Sequence, residues 1–559
     1  MIGVISKDSE TRTVGEFFEL FKTPWEHYVP GQTYQLVITT TGNVPGDLHT
    51  SLLAVYDSRS IRFDSETGVV AKATSSSEWL EYADGEIPLY GAVLAFEPAG
   101  QPLLLAKGRN QLVGLEFGHA AYRVARVGYD LFQEVEFLLS EGQPPENAHV
   151  PTLELHIAVL RNIMTSAGLA FVEIPPAPAG YEFMACLTHD VDFTGIREHK
   201  FDSTMWGFVY RALVGSLIAA LRGRLAWSKC WTNWQAVFSL PLVYSGLKAD
   251  LWLEFDCYAE IEKDLGSTYF FIPFKNRPGT RDGRSAPKRR GAKYDLSRIT
   301  DQVHKLVTNG CEVGLHGIDA WQDSQKAQVE AAPIRDLAGR SEVGIRMHWL
   351  YFDRNSPKVL AEAGFSYDST FGYNDAVGFR GGTAQIFSIP PANSFLELPL
   401  IIQDTALFYP GRMHLSESEA MKACRQVIQQ TVRFGGAVTV NWHTRSLSPE
   451  RLWGDFYQEF IAELRAHRVW FGTASEVVDW FRMRRAVRFE RVQFNEDGVK
   501  LKIDSPPLGK SPAFFVRVHH PRTSVHAGTS ASPNSSLHSD VLWNGHAELT
   551  VPQLEPSRV

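Results

Sequence analysis

Residues 1 to about 150 alternate short apolar runs with turn residues. The runs at 33–39 and 51–56 are rich in β-branched and aromatic residues, which predicts strands. Leu153, Ile157, Leu160 and Ile163 then recur at helical spacing and predict a helix with one apolar face. Three prolines between 175 and 180 stiffen the chain and mark a boundary. From 181 to about 485 the pattern changes. Apolar runs at 184–187, 269–272 and 437–440, and a strand at 312–315, are separated by helical stretches. Those stretches include 254–265 and 296–307, the second stopped by Asn309 and Gly310. Ser416 and Glu419 form a capping box for a further helix that ends at Gly435. Strand–helix alternation predicts a parallel sheet with crossover helices. From 486, strand-like alternation returns at 487–503 and 547–551, around a Ser-rich polar stretch at 521–540 that reads as a loop.

The expected architecture is therefore α/β: a (β/α) barrel at 181–485, a β-rich N-terminal domain with its linker helix at 1–175, and a small β-rich C-terminal appendage at 486–559. A length of 559 residues accommodates three domains. Within the barrel, 205–247 is unusual. The run 205–221 is apolar apart from Arg211, and a second apolar run covers 236–247. Arg222, Arg224 and Lys229 lie between them, interleaved with Trp227, Trp231 and Trp234. Two readings stand: a buried helical hairpin covering the site, or a peripheral membrane contact. No uninterrupted apolar run reaches roughly 18 residues, so no transmembrane helix is predicted.

Composition is that of an ordinary globular protein, with 44% hydrophobic and 21% charged residues. The net charge of -8 argues against a general nucleic-acid partner. Five cysteines, an odd number without metal-finger spacing, suit reduced thiols. The first residues lack a basic segment followed by an apolar core, so no secretory signal is expected. Together these predict a cytoplasmic protein, membrane-associated if 205–247 meets lipid.

Candidate chemistry sits where the apolar runs end. The carboxyl ends of parallel barrel strands form the active-site face, so Asp190, Asp192, His316 and His443 could converge there. Asp190 and Asp192, at i and i+2 on a strand, face one side, with His189 turned away. Two carboxylates so close repel unless a cation or proton intervenes. A metal would let one Asp bind and the other act as base; capping of the next helix is the plainer alternative. His316 precedes Gly317, which lets a ligand approach closely. Arg346 and His348 are also at i and i+2, and a planar guanidinium could grip a carboxylate. The stretch 367–373 sets an acid and hydroxyls among aromatics, as a sugar contact or as a turn in the core. His443 is a candidate general acid. No nucleophile elbow of the Gly-x-Ser-x-Gly type lies between a strand and a helix here.

In this order along the chain, the pieces resemble the polysaccharide deacetylase family, the family four carbohydrate esterases, across residues 181–485. The resemblance implies an irregular (β/α) barrel with five ordered motifs. It makes Asp190 the base, Asp192 and His316 metal ligands, Arg346 the residue that orients the base, 367–373 with 395–400 an aromatic groove, and His443 the acid. The family's second metal-binding His would fall at position 320, which is Ala. His199 and His348 are the favoured substitutes, and position 348 normally holds Pro in that family. Asp319 is a nearer but shorter alternative.

The implied function is a divalent-metal hydrolase, with Zn²⁺ the expected ion. It would remove N-acetyl groups from a polysaccharide or glycan precursor, lipid-linked forms included. Two alternatives stand beside it: a non-catalytic glycan-binding protein on a degenerate barrel, and a hydrolase of another non-peptide C–N bond. A retaining glycosidase using Asp190 and another carboxylate ranks last, because two acids at i and i+2 of one strand cannot straddle a sugar ring.

Overall fold

The computed structural model describes residues 1–559 except 84, 253, 282, 391–394, 496, 497, 506, 508, 510, 522–537, 544, 546, 547 and 553–559. Most of the polar stretch read as a loop at 521–540 lies outside the described residues. Contacts divide the chain into two units. One comprises Met1–Gly180, Arg380–Asn393 and Asp479–Val559; the other comprises Tyr181–Phe379 and Ser394–Val478. The boundary after Gly180 coincides with the proline-stiffened linker. The C-terminal residues, expected as a separate appendage, group with the N-terminal residues.

The physical reason for that grouping is strand pairing. Phe171–Glu173 pairs antiparallel with Phe514–His519, which pairs in turn with His538–Trp543. Backbone groups that would otherwise be unpaired edges are thereby satisfied. The same unit carries an eleven-stranded sheet. Ile2–Ile5, Thr33–Thr39, His49–Tyr56 and Tyr122–Val127 run parallel, and Gln111–His119 and Gln101–Ala106 extend them antiparallel. The expected helix spans Thr152–Ser166, and Leu153, Ile157, Leu160 and Ile163 are all buried.

The second unit holds the barrel. Its strands are β1 (Phe183–Val191), β2 (Ser267–Phe271), β3 (Glu312–Gly317), β4 (Ile345–Met347), β5 (Tyr367–Asp368), β6 (Leu396–Glu397), β7 (Ile402–Gln403), β8 (Ala437–Asn441) and β9 (Val469–Phe471). They pair in the order β6-β5-β4-β3-β2-β1-β8-β7, with β9 beside the start of β1. Every pairing is parallel. The path begins at β6 and ends at β7, so the barrel is open and irregular among the described residues. The helix Glu417–Phe434 carries the expected Ser416–Glu419 capping box. Thr300–Thr308 is followed by Gly310 at φ 85°, a left-handed stop that favours glycine.

All nine residues of β1 are buried. Its alternation sends Thr188 and Asp190 to one face and His189 to the other. His189 is held on that other face: Nδ1 lies 2.8 Å from the Trp442 carbonyl and Nε2 3.0 Å from Glu262. Its ring also stacks on Tyr269, so it is a satisfied core histidine.

The segment 203–244 is helical. Ser203–Tyr210, a π turn at Arg211–Gly215 and Ser216–Leu221 form one continuous run, followed by Trp227–Phe238 and Leu240–Tyr244. That first run is long and apolar enough to pass as a membrane-crossing helix by length and composition. Arg211 interrupts it in sequence, which is why the uninterrupted apolar stretch looks short.

Candidate active site

Register assembles the site from distant positions. Thr188 pairs with Thr268 on one side and Asn441 on the other, and His316 pairs with Arg346. The strand ends therefore bring together Asp190, Asp192, His316, Arg346, His348 and His443.

Asp190 is held at both oxygens. Arg346 Nη1 donates to Oδ1 at 3.0 Å, and Asn441 Nδ2 donates to Oδ2 at 2.7 Å. Arg346 is fully buried and has its own cradle. Nη1 also donates to Thr188 Oγ1 (2.6 Å), Nε to the Ser369 carbonyl (2.9 Å), and Nη2 to Ser369 Oγ (2.9 Å). The guanidinium lies 4.7 Å from the Phe270 ring centroid. Burial alone would raise the Asp190 carboxyl, but His316, Arg346 and His443 outweigh it and hold it below the usual carboxylate range. The base position is thus an aimed, ionised carboxylate.

Beside it, three donors converge. Asp192 Oδ1 lies 3.3 Å from His316 Nε2 and 3.2 Å from His348 Nδ1, and those two nitrogens are 2.8 Å apart. Among the described residues, these three form a group able to hold a metal ion. The donor set fits one. An ion about 2.0–2.1 Å from tetrahedral donors keeps them roughly 3.3 Å apart. Asp192 Oδ1 is buried and takes no well-directed hydrogen bond from either ring. His316 Nδ1 lies 2.9 Å from the Arg346 carbonyl, a contact that places the proton there and leaves the Nε2 lone pair facing the cluster. Burial, ahead of the opposing pull of Asp192, keeps His348 below its ordinary value and so in the neutral form a metal requires.

His348 is placed by a sharp backbone turn. Trp349 and Leu350 both have positive φ, at 64° and 53°, a conformation that bulky residues rarely adopt. Arg290 Nη2 donates to the His348 carbonyl at 3.0 Å and fixes the turn from below.

Of the two substitutes offered for the missing ligand, the structure brings His348 to the cluster and leaves His199 outside it. His199 Nδ1 pairs with Asp202 at 2.8 Å, and its ring packs on Phe193 and Trp252. Asp202 is the N-cap of the following helix, which ties His199 to that helix start. Asp319 accepts the Thr280 amide at 2.9 Å and also lies outside the group. Ala320 is buried. If the three-donor group holds a divalent metal, His348→Ala should weaken its binding by about a hundredfold or more, and His199→Ala should change it by less than about threefold. Metal titration of the two variants checks this contrast.

His443 is a charged partner. Its Nδ1 lies 2.7 Å from Asp404 Oδ1, and its amide donates to Asp404 Oδ2 at 2.7 Å. Ser446 Oγ also donates to Asp404 Oδ2. Burial opposes the imidazolium, but Asp404, with Asp192 and Asp190, carries its pKa up to about 9. Its Nε2 is 3.8 Å from Asp192 Oδ2, at the edge of the donor cluster. Asp404 has no place in the sequence reading. Its signal was the rule already in use, since it directly follows β7. Asn441 was likewise visible as the last residue of β8.

The stretch 367–373 has a different place from the expected sugar groove. All seven residues are buried. Ser369 cradles Arg346, and Thr370 Oγ1 accepts the Met347 amide at 2.9 Å. Residues 395–400 are buried too. The cavity itself, about 900 Å³, is lined by other aromatics, including Trp321, Trp349, Tyr351 and Tyr409. Its lining is basic: Arg211, Arg281, Arg289, Lys293, Arg412 and Arg451 contribute, while Asp190 and Asp192 are the carboxylates.

Comparison with known proteins places the fold in context. No family model matches the chain, and no curated protein matches it. Solved structures do. One is a Mycobacterium smegmatis protein assigned to the polysaccharide deacetylases, at 19% identity and TM-score 0.33, covering 56% of this chain and 95% of its own. A second is the allantoinase Puue, at 13% identity and TM-score 0.33, covering 55% and 92%. A third is a family 4 acetyl xylan esterase from Clostridium thermocellum in complex with a cobalt ion, at 14% identity and TM-score 0.22, covering 40% and 82%. The structural neighbours thus include polysaccharide deacetylases and family four esterases.

Proposed function

We propose that this chain is a metal-dependent hydrolase that removes N-acetyl groups from a saccharide. One observation carries the reading: a carboxylate anchored at both oxygens and an imidazole paired to a buried aspartate flank the same three-donor cluster. That is the equipment for adding water to an amide and protonating the amine that leaves. When bound by Asp192, His316 and His348, a divalent cation supplies Lewis acidity, polarising a carbonyl and acidifying water.

The chain's own residues do the rest. Asp190 takes the proton of the attacking water, and Arg346 and Asn441 keep its oxygens aimed. The water oxygen bonds to the acetyl carbon. His443 gives its Nε2 proton to the amide nitrogen as the C–N bond breaks, and Asp404 holds the ring for that transfer. Acetate and a free amino sugar leave. The aromatic lining suits sugar faces. The basic lining favours an anionic substrate, such as a saccharide carried on a lipid phosphate.

The test is acetate release from N-acetylglucosamine oligomers and from a lipid-phosphate-linked N-acetylhexosamine. Chelation should stop release and added zinc should restore it. Equal release before and after complete metal removal would sink the proposal.

The pH profile supplies a further check. His443 is the acid while protonated, so activity should fall as pH rises through about 9. Asp404→Asn removes the charge that raises the imidazole, while burial still lowers it. The alkaline limb should then move to lower pH, and the rate at neutral pH should drop by about 10²–10⁴. An unmoved limb would separate His443 from the proton transfer.

A further inference from the structure

Large apolar side chains that remain exposed gather in one stretch. Of the seventeen among the described residues, eleven lie between Phe201 and Leu247. Contiguous exposed apolar surface of this kind marks an interaction site.

The helical run Ser203–Leu221 is apolar on two faces. Met205, Phe208, Ala212, Ser216 and Ala220 are buried. Phe208 and Ala212 join Ile196, Val243 and Trp252 in one hydrophobic cluster, so this face is fixed to the protein. Trp206, Tyr210, Val214, Ile218 and Leu221 form the other face, and Trp206 is 57% and Leu221 69% exposed. Their spacing of three and four residues lines them up. A surface helix ordinarily carries polar residues there. The next helix repeats the arrangement: Cys230, Asn233 and Ala236 are buried while Trp227, Trp231 and Phe238 are exposed. A helix packed along one side does not cross a bilayer alone, but it can lie in the interface.

Charge selects the occupant. Residues 203–249 contain no Asp or Glu, and they contain Arg211, Arg222, Arg224, Lys229 and Lys248. Arg211 pairs with Glu450, and Lys229 with Glu417 and Asp455. Arg222 and Arg224 are exposed on the turn between the two helices, and Lys248 is exposed beyond them. A second copy of this face would set like charges together. Anionic headgroups would complement them, and Trp and Tyr on an apolar face with flanking cations suit the headgroup region.

We propose that the 201–247 hairpin docks on a bilayer bearing anionic phospholipid, lying in the interface with its exposed apolar face in the lipid. Ser203, Thr204 and Arg211 of the same helical run also line the cavity, so docking brings the cavity to the membrane surface. For the saccharide reading, on which this last step rests, a lipid-anchored substrate would enter from the bilayer.

The experiment is co-sedimentation of the full chain with vesicles of phosphatidylcholine alone and of phosphatidylcholine with phosphatidylglycerol. Binding should favour the anionic vesicles and weaken with salt. The triple variant Trp206→Ser, Trp227→Ser, Trp231→Ser should lose binding by roughly tenfold or more. Arg222→Glu with Arg224→Glu, confined to the exposed turn, should do the same if the triple variant fails to fold. Absence of binding to anionic vesicles, full binding by the folded variants, or a stable dimer in place of vesicle binding would each overturn the proposal. Acetate release from soluble oligomers separates the two readings: a wild-type chain that releases acetate but binds no anionic vesicles overturns docking alone, and one that binds them but releases no acetate overturns the deacetylase reading alone.

Discussion

Asp190→Asn is expected to lower kcat for acetate release by about 10²–10⁴ while metal content stays near that of the wild type. The substitution keeps shape and removes the basic oxygen. Asp192, His316 and His348 are the proposed metal donors, and none depends on Asp190 for its position: His316 is set by the Arg346 carbonyl and His348 by its strained turn. The rate and the metal stoichiometry should therefore part company. Substrate turnover with metal analysis on the same preparation reads both. Retained turnover would remove Asp190 from the proton transfer, and loss of metal would make it a ligand instead of a base.

Arg346→Met should destabilise the protein by about 3–5 kcal/mol, the cost of leaving a buried charge without its partner. Asp190 is buried, and the guanidinium is one of two groups bonded to its oxygens. The same change strips the donors from Thr188 and Ser369. Asp190→Asn in the Arg346→Met background should recover part of the loss, with a coupling of about 0.5–3 kcal/mol. Chemical denaturation of the two single variants and the double variant measures it. Strict additivity would mean that Arg346 acts through packing against Phe270, with no charge coupling.

Much of the barrel is legible in its periodicity. Short apolar runs closing on polar residues marked β1, β3 and β8 because a strand buried on both faces must be apolar until it reaches the site. The Ser416–Glu419 box and Gly310 marked helix ends by backbone chemistry that is purely local. Other features depend on long-range pairing and leave no local trace. Nothing in 514–519 announces that its partner is 171–173, so the C-terminal residues looked like a separate appendage. His199 and His348 looked equivalent as ligands, and a turn through positive φ at Trp349 and Leu350, an improbable conformation for such residues, decided which one reached the cluster. The stretch 367–373 left two readings open because hydroxyls among aromatics serve a buried guanidinium as well as a sugar, and only the structure shows it in the core. Asp404 follows a strand of only two residues, too short for its period to stand out.

The two-sidedness of β1 limits how this part of the chain can change. Side chains alternate with a period of two, so inserting or deleting one residue ahead of Thr188 would exchange the faces. An insertion would put the His189 imidazole in the place of the base, and a deletion would press the Asp190 carboxylate against Glu262, which now pairs with His189. The strand can drift by substitution, but a single-codon indel within it would cost activity and fold in one event. His189, though it touches no substrate, is what makes the wrong register untenable.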